Sequence, residues 1–283
     1  MISVKNLKKE YIVGKVSVQA VKDVSFDIKE GEFVIIYGSS GSGKSTILHL
    51  ISLIDEPTTG TVFLNGKNVS ELSESSKTKI RLKKFGYVFQ EYNVVPELTA
   101  LENTFLPGLM TDVSKQELVS KAKRLLIYLG LESRLSHTPA ELSGGEKQRV
   151  SIARSLINDP KIIFADEPTA NLDSVTSEMI INLFKKLNLE MKLTVILVTH
   201  NPSFLDYADK IIYMQDGLIK KINVRKSKSF KKKLADVDWA SIENLKEYIK
   251  ESFKRNYPKE KITKHLLDAG WPKNIVEKAL KSN

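Results

Sequence analysis

The stretch FVIIYGSSGSGKST, residues 33–46, decides the fold. Phe33 to Tyr37 form an apolar run of strand length, and the next eight residues fit the pattern G-x-x-x-x-G-K-[ST]. Apolar residues then recur at helical spacing as far as Ile54. The stretch therefore predicts a strand, a glycine-rich loop and a helix whose N-terminus receives phosphate groups.

The glycine-rich loop, residues 38–45, is called the phosphate loop below. Its glycines allow backbone N–H groups to converge on phosphates, Lys44 supplies charge to the β- and γ-phosphates, and the Ser45 hydroxyl is suited to Mg²⁺. A merely flexible turn would explain the glycines but not Lys44-Ser45. The predicted ATP contacts of this stretch are Gly38, Ser39, Ser40, Gly41, Ser42, Gly43, Lys44, Ser45 and Thr46.

A second apolar run ends in two carboxylates, Asp166 and Glu167. Such a strand end is by itself common and usually solvated. Beside a phosphate loop, however, two acids favour a metal and a water molecule. We therefore predict that Asp166 holds Mg²⁺ and that the catalytic residue Glu167 orients or deprotonates the attacking water.

Residues 142–149, LSGGEKQR, lie between these two motifs and are called the signature segment below. They resemble the signature sequence of ATP-binding cassette (ABC) proteins. The resemblance implies that Ser143, Gly144 and Gly145 contact ATP held by the phosphate loop of a second copy. It thus implies a homodimer in the ATP-bound state, with ATP and Mg²⁺ as cofactors.

Four further residues match elements of the same family. The resemblance implies that Tyr11 stacks on adenine, although its position alone would also suit an ordinary strand tyrosine. Gln90 matches the glutamine that reaches Mg²⁺ and the attacking water, and His200 matches the histidine that touches the γ-phosphate. Asp173 matches the acid of the loop that crosses the dimer interface.

The family resemblance covers residues 1–222 and implies an α/β P-loop NTPase core. The resemblance further implies a mixed sheet with helices, an antiparallel β subdomain and a helical subdomain at about residues 90–160. Residues 223–283 carry 16 Lys and Arg against 8 Asp and Glu, so this tail holds +8 of the net charge of +10. Its pattern predicts a basic linker and a small all-α domain of three helices.

Within the family, the segments ALEN (residues 100–103) and ADEPTANLD (residues 165–173) look most like the branch of macrolide exporters, lipoprotein-release ATPases and the cell-division ATPase. We therefore expect an ATPase that drives a separate membrane permease, for export or for envelope-directed mechanotransmission. No stretch approaches the ~20 apolar residues of a membrane-spanning helix. The expected location is cytoplasmic, on the inner face of the membrane through the permease.

Two other functions remain open at the level of sequence. A soluble ATPase of this fold acting on nucleic acid or the ribosome would suit the basic tail. The family resemblance implies a second cassette in members that act on the ribosome and a long coiled-coil insertion in those that act on DNA. This chain has neither, so no nucleic acid is expected. The second open function is that of an ATPase that signals to envelope enzymes and transports nothing. The tail is either a solvated appendage or a docking module whose lysines contact an anionic membrane surface.

Overall fold

The computed structural model describes residues 1–225, 249, 252–253, 257–268 and 280. The strands are β1 (Ile2–Val13), β2 (Val16–Ile28), β3 (Phe33–Tyr37), β4 (Thr59–Leu64), β5 (Lys67–Asn68), β6 (Phe85–Val88), β7 (Ile162–Asp166), β8 (Thr194–Thr199), β9 (Lys210–Gln215) and β10 (Leu218–Val224). The helices of the described residues are α1 (Lys44–Ile51), α2 (Glu74–Lys84), α3 (Ala100–Phe105), α4 (Lys115–Tyr128), α5 (Gly144–Leu156), α6 (Ser174–Met191) and α7 (Lys259–Asp268). Short 3₁₀ helices span Leu106–Met110, Glu132–Arg134, Pro139–Glu141 and Pro202–Tyr207.

Two sheets organise the molecule. The first is antiparallel with the order β2-β1-β4-β5, and the second has the order β10-β9-β3-β8-β7-β6. In the second sheet, β9, β3, β8, β7 and β6 run parallel, and β10 pairs antiparallel with β9. The expected mixed sheet with an antiparallel β subdomain is therefore confirmed.

β1 and β2 form one long ribbon, although polar residues interrupt the alternation of apolar residues along both strands. The polar interruptions are accommodated within the strands, because Asn6 and Asp23 adopt positive φ angles of 49° and 60°. Asn6 Nδ2 donates to Asp23 Oδ1 at 3.0 Å, and the register shifts between Val4 and Leu7. The interruption is thus a bulge, not a turn.

The central strand β3 is buried on both faces. Phe33 and Ile35 belong to one apolar cluster, whereas Val34 and Ile36 belong to another that includes Ile47 of α1. This alternation follows from the two-residue period of a strand that has packed layers on both sides. The carboxyl end of β3 therefore leads the phosphate loop out of the middle of the core.

α3, α4 and α5 pack on one another beside the mixed sheet. A small apolar cluster joins Phe105 of α3, Leu118 of α4 and Ile157, which directly follows α5. The buried amide of Asn103 accepts from Val95 N at 2.7 Å and donates to the carbonyls of Val95 and Leu98 at 3.0 and 2.9 Å. These bonds attach the segment that follows Gln90 to the start of α3.

In the C-terminal region, α7 begins directly after Pro258, a residue that is common at helix starts. Ile262 and Leu266 of this helix are buried. The basic linker and most of the remainder of the predicted three-helix domain lie outside the described residues. Among the residues that are described, no helix combines the length and apolar character needed to cross a bilayer.

Candidate functional site

Two glycines of the phosphate loop have no room for a side chain. Gly43, which caps α1, has a φ of 94°, and a Cβ there would lie 2.3 Å from the Ala20 carbonyl oxygen. A Cβ at Gly38 would lie 2.3 Å from the Met214 carbonyl oxygen. The loop is therefore wedged between β2 and β9, which holds its backbone N–H groups at the N-terminus of α1.

Lys44 is buried, with 4% of its surface exposed. Its Nζ donates to the Ser39 carbonyl at 2.7 Å and lies 3.7 Å from Glu167 Oε1. The ammonium group therefore lies inside the curve of the phosphate loop, where it can exchange these contacts for phosphate oxygens.

The end of β7 meets the start of α1. Ser45 Oγ donates to Asp166 Oδ1 at 2.7 Å, and His49 Nε2 lies 3.5 Å from Asp166 Oδ2. Mg²⁺ prefers oxygen ligands, and a protein supplies only a few of them beside the oxygens of phosphate and water. The Ser45 hydroxyl and the Asp166 carboxylate are ligands of this type. The pair fits a magnesium ion bound to a nucleotide.

Glu167 leaves the strand in a strained conformation, with a φ of 42°. Its amide donates to the Val198 carbonyl at 3.1 Å, and its Oε2 lies 2.6 Å from His200 Nδ1. Since β7 and β8 are neighbours, the two side chains meet at the same edge of the sheet. His200 is 60% exposed, so this contact lies open to a ligand.

A cavity of about 720 Å³ joins these groups. It is lined by Ala20, Tyr37, Gly38, Ser39, Ser40, Gly41, Gly43, Lys44, Ser45, Thr46, Gln90, Glu167, Ala170 and His200. Sequence reasoning missed Ala20, Tyr37 and Ala170. Tyr37 could have been found from its place directly before Gly38, but Ala20 comes from β2 and carries no motif.

Other predicted site residues do not line this cavity. Ser42 is buried, and Asp166 accepts a hydrogen bond from Ser45 Oγ, but neither residue lines the cavity. Five other predicted site residues also lie outside it. These remaining residues are Tyr11, Ser143, Gly144, Gly145 and Asp173.

The signature segment forms a capped N-terminus for α5. Ser143 Oγ accepts from Glu146 N at 3.3 Å, and Ser143 N donates to Glu146 Oε2 at 2.8 Å, which is a capping box. Arg134 Nε donates to Glu146 Oε1 at 2.8 Å. Burial would raise the pKa of Glu146, but the bonds from Arg134 and Ser143 outweigh it and lower the pKa.

α6 begins against the signature segment. Asp173 accepts from the backbone of Val175 and Thr176 at 3.1 and 3.0 Å and from Thr176 Oγ1 at 2.6 Å. A Cβ at Gly145 would lie 2.6 Å from Thr176 Cγ2. The two helix N-termini therefore occupy one compact surface, apart from the cavity that the phosphate loop lines.

The chain is similar in sequence to proteins of one family. The family model described as ABC transporter matches residues 21–170. An uncharacterized ABC transporter ATP-binding protein of Thermotoga maritima is 49% identical, over 77% of this chain and 92% of that protein. The lipoprotein-releasing system ATP-binding protein LolD of Wigglesworthia glossinidia brevipalpis is 40% identical, over 79% of this chain and 98% of that protein.

A solved structure is also similar. It is a dimeric ATP-binding cassette of Methanocaldococcus jannaschii in a post-hydrolysis state, bound to ADP and Pi. It is 43% identical, with a TM-score of 0.74, and the match covers 80% of this chain and all of that one. Proteins named for lipoprotein release and macrolide export match this chain, as the sequence segments had indicated. The chain belongs to the ABC transporter family as an ATP-binding subunit, an ATPase of the branch that includes these proteins.

Proposed function

We propose that two copies of this chain hydrolyse MgATP between them and drive a separate membrane permease, for export or for envelope-directed mechanotransmission. One observation carries the proposal. The cavity is lined by the phosphate loop, Glu167 and His200, whereas Ser143 and Gly145 form an anion-suited helix N-terminus elsewhere on the chain. A second copy would close each cavity with its own signature segment.

The residues around the cavity have distinct roles in this proposal. Lys44 neutralises phosphate charge, Glu167 orients the attacking water, and His200 fixes the Glu167 carboxylate while reaching the γ-phosphate. Mg²⁺, held by Ser45, Asp166 and Gln90, would compensate charge on the phosphates. Tyr11 stacks on the adenine.

Coupling to the permease would start at Gln90. The Asn171 side chain lies 3.5 Å from the Gln90 carbonyl oxygen, and the bonds of Asn103 fix the segment that follows Gln90. Beyond it, Leu109 and Met110 are exposed apolar residues. We propose this surface as the permease contact, which would keep the chain in the cytoplasm on the inner face of the membrane.

The test is the oligomeric state of a Glu167→Gln chain with saturating MgATP. Since hydrolysis is blocked, the closed dimer should accumulate and elute at twice the monomer mass, whereas the chain without nucleotide should be monomeric. A Glu71→Gln chain, altered at an exposed carboxylate, should hydrolyse ATP like the parent. If the unaltered chain hydrolyses ATP and yet stays monomeric at every ATP concentration, the proposal of a site shared between two copies is contradicted.

The alternative that the ATPase acts on nucleic acid or the ribosome has no support among the relatives described above. Those relatives match 77–79% of the chain. Contact of the basic tail with an anionic membrane surface stays a prediction, because the basic linker lies outside the described residues.

A further inference from the structure

Three side chains outside the cavity form a connected group between β1 and the loop that follows α1. Tyr11 Oη donates to Asp55 Oδ2 at 2.8 Å, and Lys9 Nζ donates to Asp55 Oδ1 at 2.7 Å. Lys9 Nζ also donates to the Glu56 carbonyl at 2.7 Å. Each oxygen of the Asp55 carboxylate therefore holds a different side chain of β1.

Lys9 also covers one face of the tyrosine ring. The two residues are two positions apart on β1 and so lie on the same face of the strand. Lys9 Nζ lies 4.9 Å from the centroid of the Tyr11 ring, within the range of a cation–π contact. Because this face is occupied, a planar base can stack only on the opposite face.

The loop that carries Asp55 is itself tied to both neighbours. The Asp55 amide donates to the His49 carbonyl of α1 at 3.2 Å. Thr58 N donates to the Lys8 carbonyl at 2.8 Å, and Glu10 N donates to Thr58 Oγ1 at 2.9 Å. The helix that begins in the phosphate loop is thus joined to β1 on either side of Lys9.

At neutral pH the protonation states of Tyr11 and Asp55 favour the hydrogen bond between them. Burial raises the pKa of Tyr11, and the Asp55 carboxylate raises it further, while Thr46, which lines the cavity, acts in the opposite direction. Burial would raise the pKa of Asp55, but hydrogen bonds from Lys9 and Tyr11 outweigh it and lower the pKa. Tyr11 is therefore a protonated donor to an ionised carboxylate.

We propose that Asp55 and Lys9 are positioning residues that hold the Tyr11 ring at a set place relative to the phosphate loop, with one face free for the adenine base. The inference rests on the proposed stacking by Tyr11 and adds the residues that orient it. A ring held in advance loses less side-chain freedom when nucleotide binds, so the binding is tighter. Neither residue lies in the phosphate loop, so their effect should be confined to the base.

The experiment compares two ligands, MgATP and magnesium tripolyphosphate, which lacks the base. Affinities are measured by isothermal titration calorimetry on the full chain carrying Glu167→Gln, which prevents hydrolysis. Tyr11→Ala should weaken ATP binding about tenfold, and Asp55→Ala about three- to tenfold, with tripolyphosphate binding unchanged in both. Asp206→Ala, which removes a surface ion pair with Arg225, should change neither affinity.

The outcomes separate this inference from the proposed function. If Tyr11→Ala leaves ATP affinity unchanged, the stacking itself is wrong. If Tyr11→Ala weakens ATP binding and Asp55→Ala does not, stacking stands and the positioning role is overturned. If Asp55→Ala weakens tripolyphosphate as much as ATP, Asp55 supports the phosphate loop, and the positioning role is again overturned.

Discussion

At the scale of single residues, one strained position orients a carboxylate in the cavity. Glu167 takes a φ of 42° at the end of β7, and its carboxylate lies between Lys44 and His200. Strain of this kind persists only where surrounding contacts impose it, and here the bond from the Glu167 amide to the Val198 carbonyl does so. The carboxylate is therefore oriented before any ligand arrives.

We predict that His200→Ala lowers the ATP turnover number about 10²-fold and leaves ATP affinity within about threefold. The reason is that Glu167 would lose its 2.6 Å partner, while the contacts of the phosphate loop would remain. Single-turnover kinetics and titration calorimetry separate the two quantities. An unchanged turnover number would show that His200 does not orient Glu167.

A second prediction concerns Glu146, whose pKa is lowered in the folded chain. Because the folded pKa lies below the unfolded value, the stabilisation is fully present above the ordinary glutamate pKa of about 4.3 and is lost as pH falls through the folded pKa. Glu146→Gln should thus lower the free energy of unfolding by about 1–3 kcal/mol at pH 7, with a smaller loss near pH 4.

Urea unfolding of both chains at the two pH values measures this effect. Glu132→Gln, in the same 3₁₀ helix as Arg134, provides a control at an exposed carboxylate. An equal loss for Glu146→Gln at both pH values would mean that packing, and not charge, explains it.

At the scale of elements, α5 and α6 begin in direct contact. Gly145→Ala would place a Cβ 2.6 Å from Thr176 Cγ2, so we predict a loss of about 1–3 kcal/mol in the free energy of unfolding. Thr176→Ser removes that methyl group but keeps the hydroxyl that donates to Asp173. The double variant should therefore recover most of the stability.

The same pair of variants tests the role of Gly145 in the dimer. If Gly145 must also approach a phosphate of the second copy, the double variant should stay defective in ATP-dependent dimerisation although its fold is restored. Thermal unfolding and size-exclusion chromatography report the two properties. If the double variant recovers both stability and ATP-dependent dimerisation, the only role of Gly145 is to pack against α6.

At the scale of the whole molecule, nucleotide should stabilise the chain by binding only the folded, closed state. At an ATP concentration 100 times the dissociation constant, the free energy of unfolding should rise by about 2.7 kcal/mol. In the Glu167→Gln chain the rise in Tm should also grow with protein concentration, because the proposed closed state is a dimer. Removing Mg²⁺ with EDTA should abolish both effects, and a Tm independent of protein concentration would argue against the dimer.

The sequence by itself determined the phosphate loop, the signature segment and the order of the motifs. These are contiguous stretches whose chemistry depends on local backbone requirements, such as the positive φ of Gly43 and the capping box of Ser143. A short pattern records such requirements directly. The fold class followed from the resemblance to ABC proteins that these segments carry.

Only the tertiary structure decided which distant residues meet. The pairing of β7 with β8 brings Glu167 to His200, and Ala20 reaches the cavity from β2 without any motif. The contacts of Asp55 with Tyr11 also join segments 44 positions apart. Such contacts depend on strand order, bulges and packing across the whole core, and no local run of residues encodes them.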